Sequence, residues 1–102
     1  MLWVGLGKVA VATAGVPVPL STLYAPTLKV NTVMVTYDPA DGSSTVIVKD
    51  RAGNIMANMS SVQAPPTVFT APGGDQLDLR DFQIDVASGS NGKGPTVALG
   101  IN

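Results

Sequence analysis

Leu28-Lys29-Val30-Asn31-Thr32-Val33-Met34-Val35-Thr36-Tyr37 is the longest strand candidate in the chain, and it decides the fold class. In an extended backbone Val33, Val35 and Tyr37 point one way and Val30, Thr32, Met34 and Thr36 the other. Both faces are at least half apolar, which reads as a central strand of a two-layer structure with the Thr residues nearest the wetter side. Asp38-Pro39-Ala40-Asp41-Gly42 follows with turn chemistry, because Pro presets a negative φ and Asp41-Gly42 accepts a positive one. Thr45 to Lys49 then reads as the return strand, making residues 28–49 a hairpin.

The same signals recur on either side. Lys8 to Ala14 alternates Val9, Val11 and Thr13 with Ala10, Ala12 and Ala14, giving a larger face and a small-residue face. Gly15, Pro17 and Pro19 then keep the backbone extended but poor in donors, which suits a sheet edge. Asp50-Arg51-Ala52-Gly53-Asn54 is a second tight turn, and Ile55-Met56 opens a short strand. From Ala57 to Pro66 the signal weakens, with room for one uncapped helical turn near Asn58 to Gln63. Thr67 to Ala71 reads as a strand stopped by Pro72-Gly73-Gly74. Leu77 and Leu79 share a face, then Phe82, Ile84 and Val86 share one, so Arg80-Asp81 must hold a bulge or corner. Gly89 to Pro95 reads as a polar hairpin loop, and Thr96 to Ile101 closes the chain with Val97, Leu99 and Ile101 toward the core.

This pattern gives an all-β, single-domain β-sandwich or jelly-roll-like barrel of about seven or eight strands. Residues 8–102 form the domain and residues 1–7 an apolar N-terminal arm or edge strand. Composition agrees: all seven acidic residues are Asp, and eight Pro and eleven Gly favour turns, whereas Glu, a good helix former, is absent. At 102 residues there is one small core, with a stability of about 5–15 kcal/mol. Only five residues are aromatic, so that core draws on Val, Leu, Ile, Met and Ala.

Composition also bounds the chemistry. With no His, Cys or Glu, the chain lacks an imidazole base, a thiolate and a soft-metal ligand set, so an enzyme is not expected. A net charge of −1 gives no electrostatic footprint for nucleic acid. Few charges for so many apolar residues indicate surface meant to be covered by another chain. Leu2-Trp3-Val4-Gly5-Leu6-Gly7 and Ala12-Thr13-Ala14 have a faint likeness to a secretory leader, but Lys8 interrupts the apolar run and no basic residues precede it. No run approaches the ~18 apolar residues of a membrane span.

Specific sites are few. Asp38, Asp41, Ser43 and Ser44 lack the alternating spacing and closing Glu of a calcium loop, so a plain turn is expected and no metal. Asp75, Asp78, Asp81 and Asp85 fall on different faces of alternating strands, which does not build a carboxylate pair. Gly5 and Gly7 share only a fragment of a dinucleotide fingerprint, no Ser stands in a nucleophile elbow, and no cofactor is expected. Trp3, Tyr24, Tyr37, Phe69 and Phe82 suit core or interface better than a sugar-stacking platform.

Three stretches together resemble small all-β virion proteins of tailed bacteriophages. Lys8-Val9-Ala10-Val11-Ala12-Thr13-Ala14-Gly15-Val16-Pro17-Val18-Pro19-Leu20-Ser21 is similar to their opening, a valine-alanine strand running into a Gly-x-Pro-Val-x-Leu turn. Val33 to Asp50 resembles their second strand pair. Pro72-Gly73-Gly74-Asp75-Gln76-Leu77-Asp78-Leu79 followed by Phe82-Gln83-Ile84-Asp85-Val86 looks like their late segment. One departure is Asn31-Thr32-Val33, where such proteins often carry a glycine.

The resemblance is strongest to capsid cement or decoration proteins. It implies a structural role on the exterior of a phage head made in the host cytoplasm, with the major capsid protein as partner and self-association, as a trimer if it sits on a local threefold axis. Neither nucleic acid nor membrane is an expected partner. Leu2, Trp3, Val4 and Leu6 are the candidate contacts of the N-terminal arm, and Leu23 and Tyr24 those of an irregular segment. The alternatives are a small tail, baseplate or head-fibre protein and, from another class, a carbohydrate-binding or adhesin-like module.

Overall fold

A computed structural model describes residues 2–24, 27–37, 45–59, 66–87 and 90–101. In chain order the strands are β1 (Leu2–Lys8), β2 (Val11–Thr13), β3 (Val18–Pro19), β4 (Lys29–Val30), β5 (Thr32–Thr36), β6 (Val46–Lys49), β7 (Ile55–Met59), β8 (Thr67–Thr70), β9 (Leu77–Asp78), β10 (Gln83–Val86), β11 (Ser90–Lys93) and β12 (Thr96–Ile101). Short 3₁₀ turns occupy Leu20–Thr22, Pro72–Gly74 and Leu79–Asp81. One four-stranded antiparallel sheet has the order β1-β12-β5-β8, a second has β3-β10-β6-β7, and two small ladders pair β11 with β2 and β4 with β9. The chain is an all-β sandwich.

The two main sheets meet through their period-two apolar faces. Val33 and Val35 of β5 lie opposite Leu99 and Val97 of β12, and all four are fully buried. From the second sheet come Val46 and Val48, opposite Val86 and Ile84, again fully buried. Phe69 of β8 and Phe82 beside β10 bridge the layers edge to face, with ring centroids 5.2 Å apart, an arrangement that aromatic quadrupoles favour. Val9, Val11, Leu20, Val30, Tyr37, Met59 and Leu79 complete the core. Val dominates it because a β-branched side chain loses little freedom on a pleated surface.

Several expectations are corrected. The hairpin over 28–49 does not form: β5 pairs with β12 and β8 in the first sheet, whereas β6 pairs with β10 and β7 in the second. Its supposed turn, Asp38 to Gly42, lies outside the described residues. Nor is Leu28 to Tyr37 one strand. Val30 and Val33 are both buried three residues apart, so the phase shifts at Asn31. There the Asn31 N–H donates to Gly100 O at 2.8 Å and its carbonyl accepts from Ala71 N–H at 3.0 Å. Thr32, read as near the wet side, is buried.

Ser90–Lys93, read as loop, is β11, and twelve strands are assigned among the described residues against the expected seven or eight, partly because several span only two residues. Asn58 and Met59 belong to β7 rather than to a helical turn; Ser60 to Gln63 lie outside the described residues. The phase change at Arg80-Asp81 is a corner, the 3₁₀ turn Leu79–Asp81. The proline-bearing β3 sits at a sheet edge, where missing donors cost nothing.

Candidate interaction surface

Cross-strand partners share a face, so the register of the first sheet fixes what its outer surface presents. Since Val97 and Leu99 point into the core, Thr96, Ala98 and Gly100 point out. One outward row runs Gly5, Ala98, Met34, Val68; the next runs Trp3, Gly100, Thr32, Thr70, of which Gly100 and Thr32 are buried; a third runs Lys8, Thr96, Thr36. Val68 is 53% exposed and Trp3 52%, while Met34 and Ala98 are half-buried. Gly100, opposite Trp3, leaves a gap in the pleat over which an indole ring can lie.

This face is almost free of charge. Lys8, at the end of β1, is the only charged residue on the four strands of the first sheet. A sandwich face turned to water ordinarily alternates apolar-in with polar-out; here the outward positions hold Gly, Ala, Met, Val, Trp and uncharged Thr.

Four ion pairs among the described residues lie off this sheet. Asp78 on β9 accepts from Arg80 Nη2 at 2.6 Å, Arg80 Nε at 3.0 Å, Arg80 N–H at 2.9 Å and Lys29 Nζ at 3.1 Å. The Arg80 guanidinium, aided by the Arg80 N–H and Lys29, holds the Asp78 carboxyl well below the usual carboxylate range. Arg51 and Asp81 form an exposed pair at 2.8 Å. Asp50 caps its own turn by accepting from Ala52 and Asn54 N–H at 3.0 and 2.8 Å.

Asp85 is different in kind, with a side chain only 2% exposed on the outward side of β10. Its Oδ2 accepts from Lys49 Nζ at 2.8 Å, and its Oδ1 from Gly15 N–H at 2.9 Å and Val86 N–H at 2.8 Å. Burial pushes this carboxyl up, but the Lys49 ammonium and the two amides outweigh it and hold it below its ordinary value. The Gly15 amide belongs to the tight turn closed by Val16 N–H to Thr13 O at 3.1 Å, where Gly15 has φ +90°, a conformation glycine adopts without steric cost. Asp85 therefore ties the β2–β3 connection to β6 and β10. The four late Asp residues do not converge: three have their own cations and Asp75 is exposed.

The six residues singled out from sequence separate. Leu2, at 65% exposure, and Trp3 project from β1, which lies flat as an edge strand along β12. Val4 and Leu6 are half-buried, and Leu6 packs on the core. Leu23, 44% exposed, follows the 3₁₀ turn that packs against Leu79–Asp81, and Tyr24 is half-buried against the core. The aromatic platform is not assembled, because Tyr37, Phe69 and Phe82 pack in or on the core. Met34, Val68 and Ala98 escape sequence reasoning; the half-apolar second face of residues 28–37 signals Met34 alone.

Among the described residues there is no pocket and no group of three or more metal-binding side chains. No protein-family model, curated protein or solved structure matches the chain.

Proposed function

We propose that the protein is a structural component of a phage particle, a capsid cement or decoration protein that stabilises the head by docking across neighbouring major capsid subunits. The sequence resemblance supplies the particle, and one structural observation supports the mode of action: the outward face of β1-β12-β5-β8 carries Trp3 and Val68 with a single charge at its corner. An uncharged sheet face of this kind marks a surface that another protein covers. Cementing needs many weak contacts repeated over a lattice, whose avidity multiplies without any catalytic group.

The test is occupancy on purified, expanded, undecorated shells. Val68→Lys and Trp3→Lys place charges on the docking face at exposed positions and are expected to abolish decoration while leaving the melting transition nearly unchanged. Undiminished decoration by both variants refutes the reading. Electron microscopy of intact particles separates the tail or head-fibre alternative, because a cement protein repeats on every capsomer whereas the others sit at the tail or a vertex.

A further inference from the structure

The edges of the two main sheets are β1, β8, β3 and β7, and they are unequally protected. An edge strand presents unpaired backbone N–H and C=O groups that only another extended chain satisfies in series, so proteins guard edges with Pro, charge or bulges. β3 ends in Pro19 and follows Pro17, and β8 is bracketed by Pro66 and Pro72. β7 has its ladder broken near its start, between the pairs Lys49–Ile55 and Val48–Ala57. Among the described residues, β1 is the open edge. Its pairing with β12 is regular from Leu2 through Gly5, its bulge comes only after Gly5, and its one charge is at its end.

We propose that two copies of the chain pair antiparallel along β1 about a two-fold axis, joining their first sheets into one continuous sheet. The sequence of β1 is complementary to itself. With the axis at Val4, Leu2 faces Leu6 of the second copy on the inner side, and Trp3 faces Gly5 of the second copy on the outer side, a bulky residue against a vacant position. No charge lies between Leu2 and Gly7, so nothing repels along the seam. The two Lys8 residues end roughly 27 Å apart at about 3.4 Å per residue, well beyond the ~8 Å screening length. A net charge of −1 per chain opposes association little. The alternative of β1 against β8 of the next copy is heterologous, would propagate as an open ribbon, and meets the proline-bracketed edge.

The seam alone falls short of the ~1,200 Å² that a stable interface buries, so the dimer is weak and concentration-dependent. It also doubles the charge-free face and sets two Trp3 residues on it. The inference stands independently of the particle reading, because dimerisation and shell binding are measured separately.

Sedimentation equilibrium of the full chain from about 10 μM to about 1 mM covers the range expected for so small an interface. The expected result is a monomer–dimer equilibrium, weakened about tenfold or more by Leu2→Lys combined with Trp3→Lys. Amide exchange compared at low and high concentration gives a readout on the unaltered chain, with protection rising along Leu2 to Leu6. A monomer throughout, a trimer, a dimer indifferent to the two lysines, or concentration-dependent protection confined to another strand overturns the proposal.

Discussion

Replacing Lys49 by Met should be among the most damaging changes at a partly exposed position, because it strands the Asp85 carboxylate. That group is 2% exposed and has three donors, of which only Lys49 carries charge. Removing one partner of a buried pair costs about 3–5 kcal/mol, and the lower end applies because the Lys49 side chain is 20% exposed and water reaches it. Each kcal/mol lowers the melting temperature of a domain this size by about 4–8 °C, so a fall on the order of 15 °C is expected. Asp85→Asn alone also destabilises: the amide oxygen can keep the Gly15 and Val86 bonds, but the amide nitrogen then confronts the Lys49 ammonium. Added to Lys49→Met, the same Asp85→Asn change should restore stability, because it removes the uncompensated charge. Urea unfolding of the two single variants and the double variant at neutral pH measures this change of sign. If Asp85→Asn destabilises equally in both backgrounds, the buried-charge reasoning is wrong. Acid adds a second arm. The folded carboxyl is depressed below its unfolded value, so its stabilisation is full above the unfolded pKa and is lost as pH falls through the folded one. With Lys49 gone, burial dominates and lifts the folded pKa above the unfolded one, so the sign reverses: the variant should gain stability as pH falls through the folded pKa, where the buried carboxyl takes up a proton.

Other outcomes follow from local geometry. A Cβ at Gly94 would collide with the Val9 carbonyl oxygen; since that obstacle is backbone, Gly94→Ala should cost about 3 kcal/mol, the upper end for overpacking, by denaturant unfolding. Gly5→Ala, with nothing near the new methyl, should be neutral or stabilise by about 0.5–1 kcal/mol, the penalty glycine imposes in a strand. Arg80→Met should raise the titration midpoint of Asp78 toward the ordinary carboxylate value of about 3.9, followed by carbon NMR of the carboxyl; an unchanged midpoint would show that Arg80 is not its main partner.

How much of this was legible in the sequence depends on whether a feature is local. Alternation reports which way a side chain points, and for β5, β10 and β12 it places Val33, Val35, Ile84, Val86, Val97 and Leu99 correctly in the core. It does not report which strand lies alongside. Val33 and Val35 face Val46 and Val48 from opposite layers, and the same alternating pattern serves equally for two strands of a hairpin. The break at Asn31 shows only as buried residues three apart, and β11 is held by backbone pairing with β2 that hydropathy does not register. Leu2 and Trp3 could be picked as exposed apolar residues, but the half-burial of Val4 does not follow from alternation, since Leu2 and Val4 share the inner face and differ in exposure. Asp85 looked like one of four scattered carboxylates because its cation is 36 positions away.

The charge-free face was the least visible feature, because folding assembles it from segments at both ends and the middle of the chain. Residues 32–36, 67–70 and 96–101 contain no charge, and β1 adds one lysine, so among the described residues every other charge lies on the turns, the second sheet and the two small ladders. Two accounts of that segregation make opposed predictions. If the face merely tolerates water, Met34→Lys together with Val68→Lys should improve solubility and change no association, since charged surfaces resist non-specific contact. If the face is an interface, the same pair should improve solubility and abolish shell binding, while β1-mediated dimerisation persists, because Met34 and Val68 lie on the sheet face and away from its edge. Measuring solubility, occupancy and dimerisation on one variant therefore distinguishes a docking surface from an accident of composition.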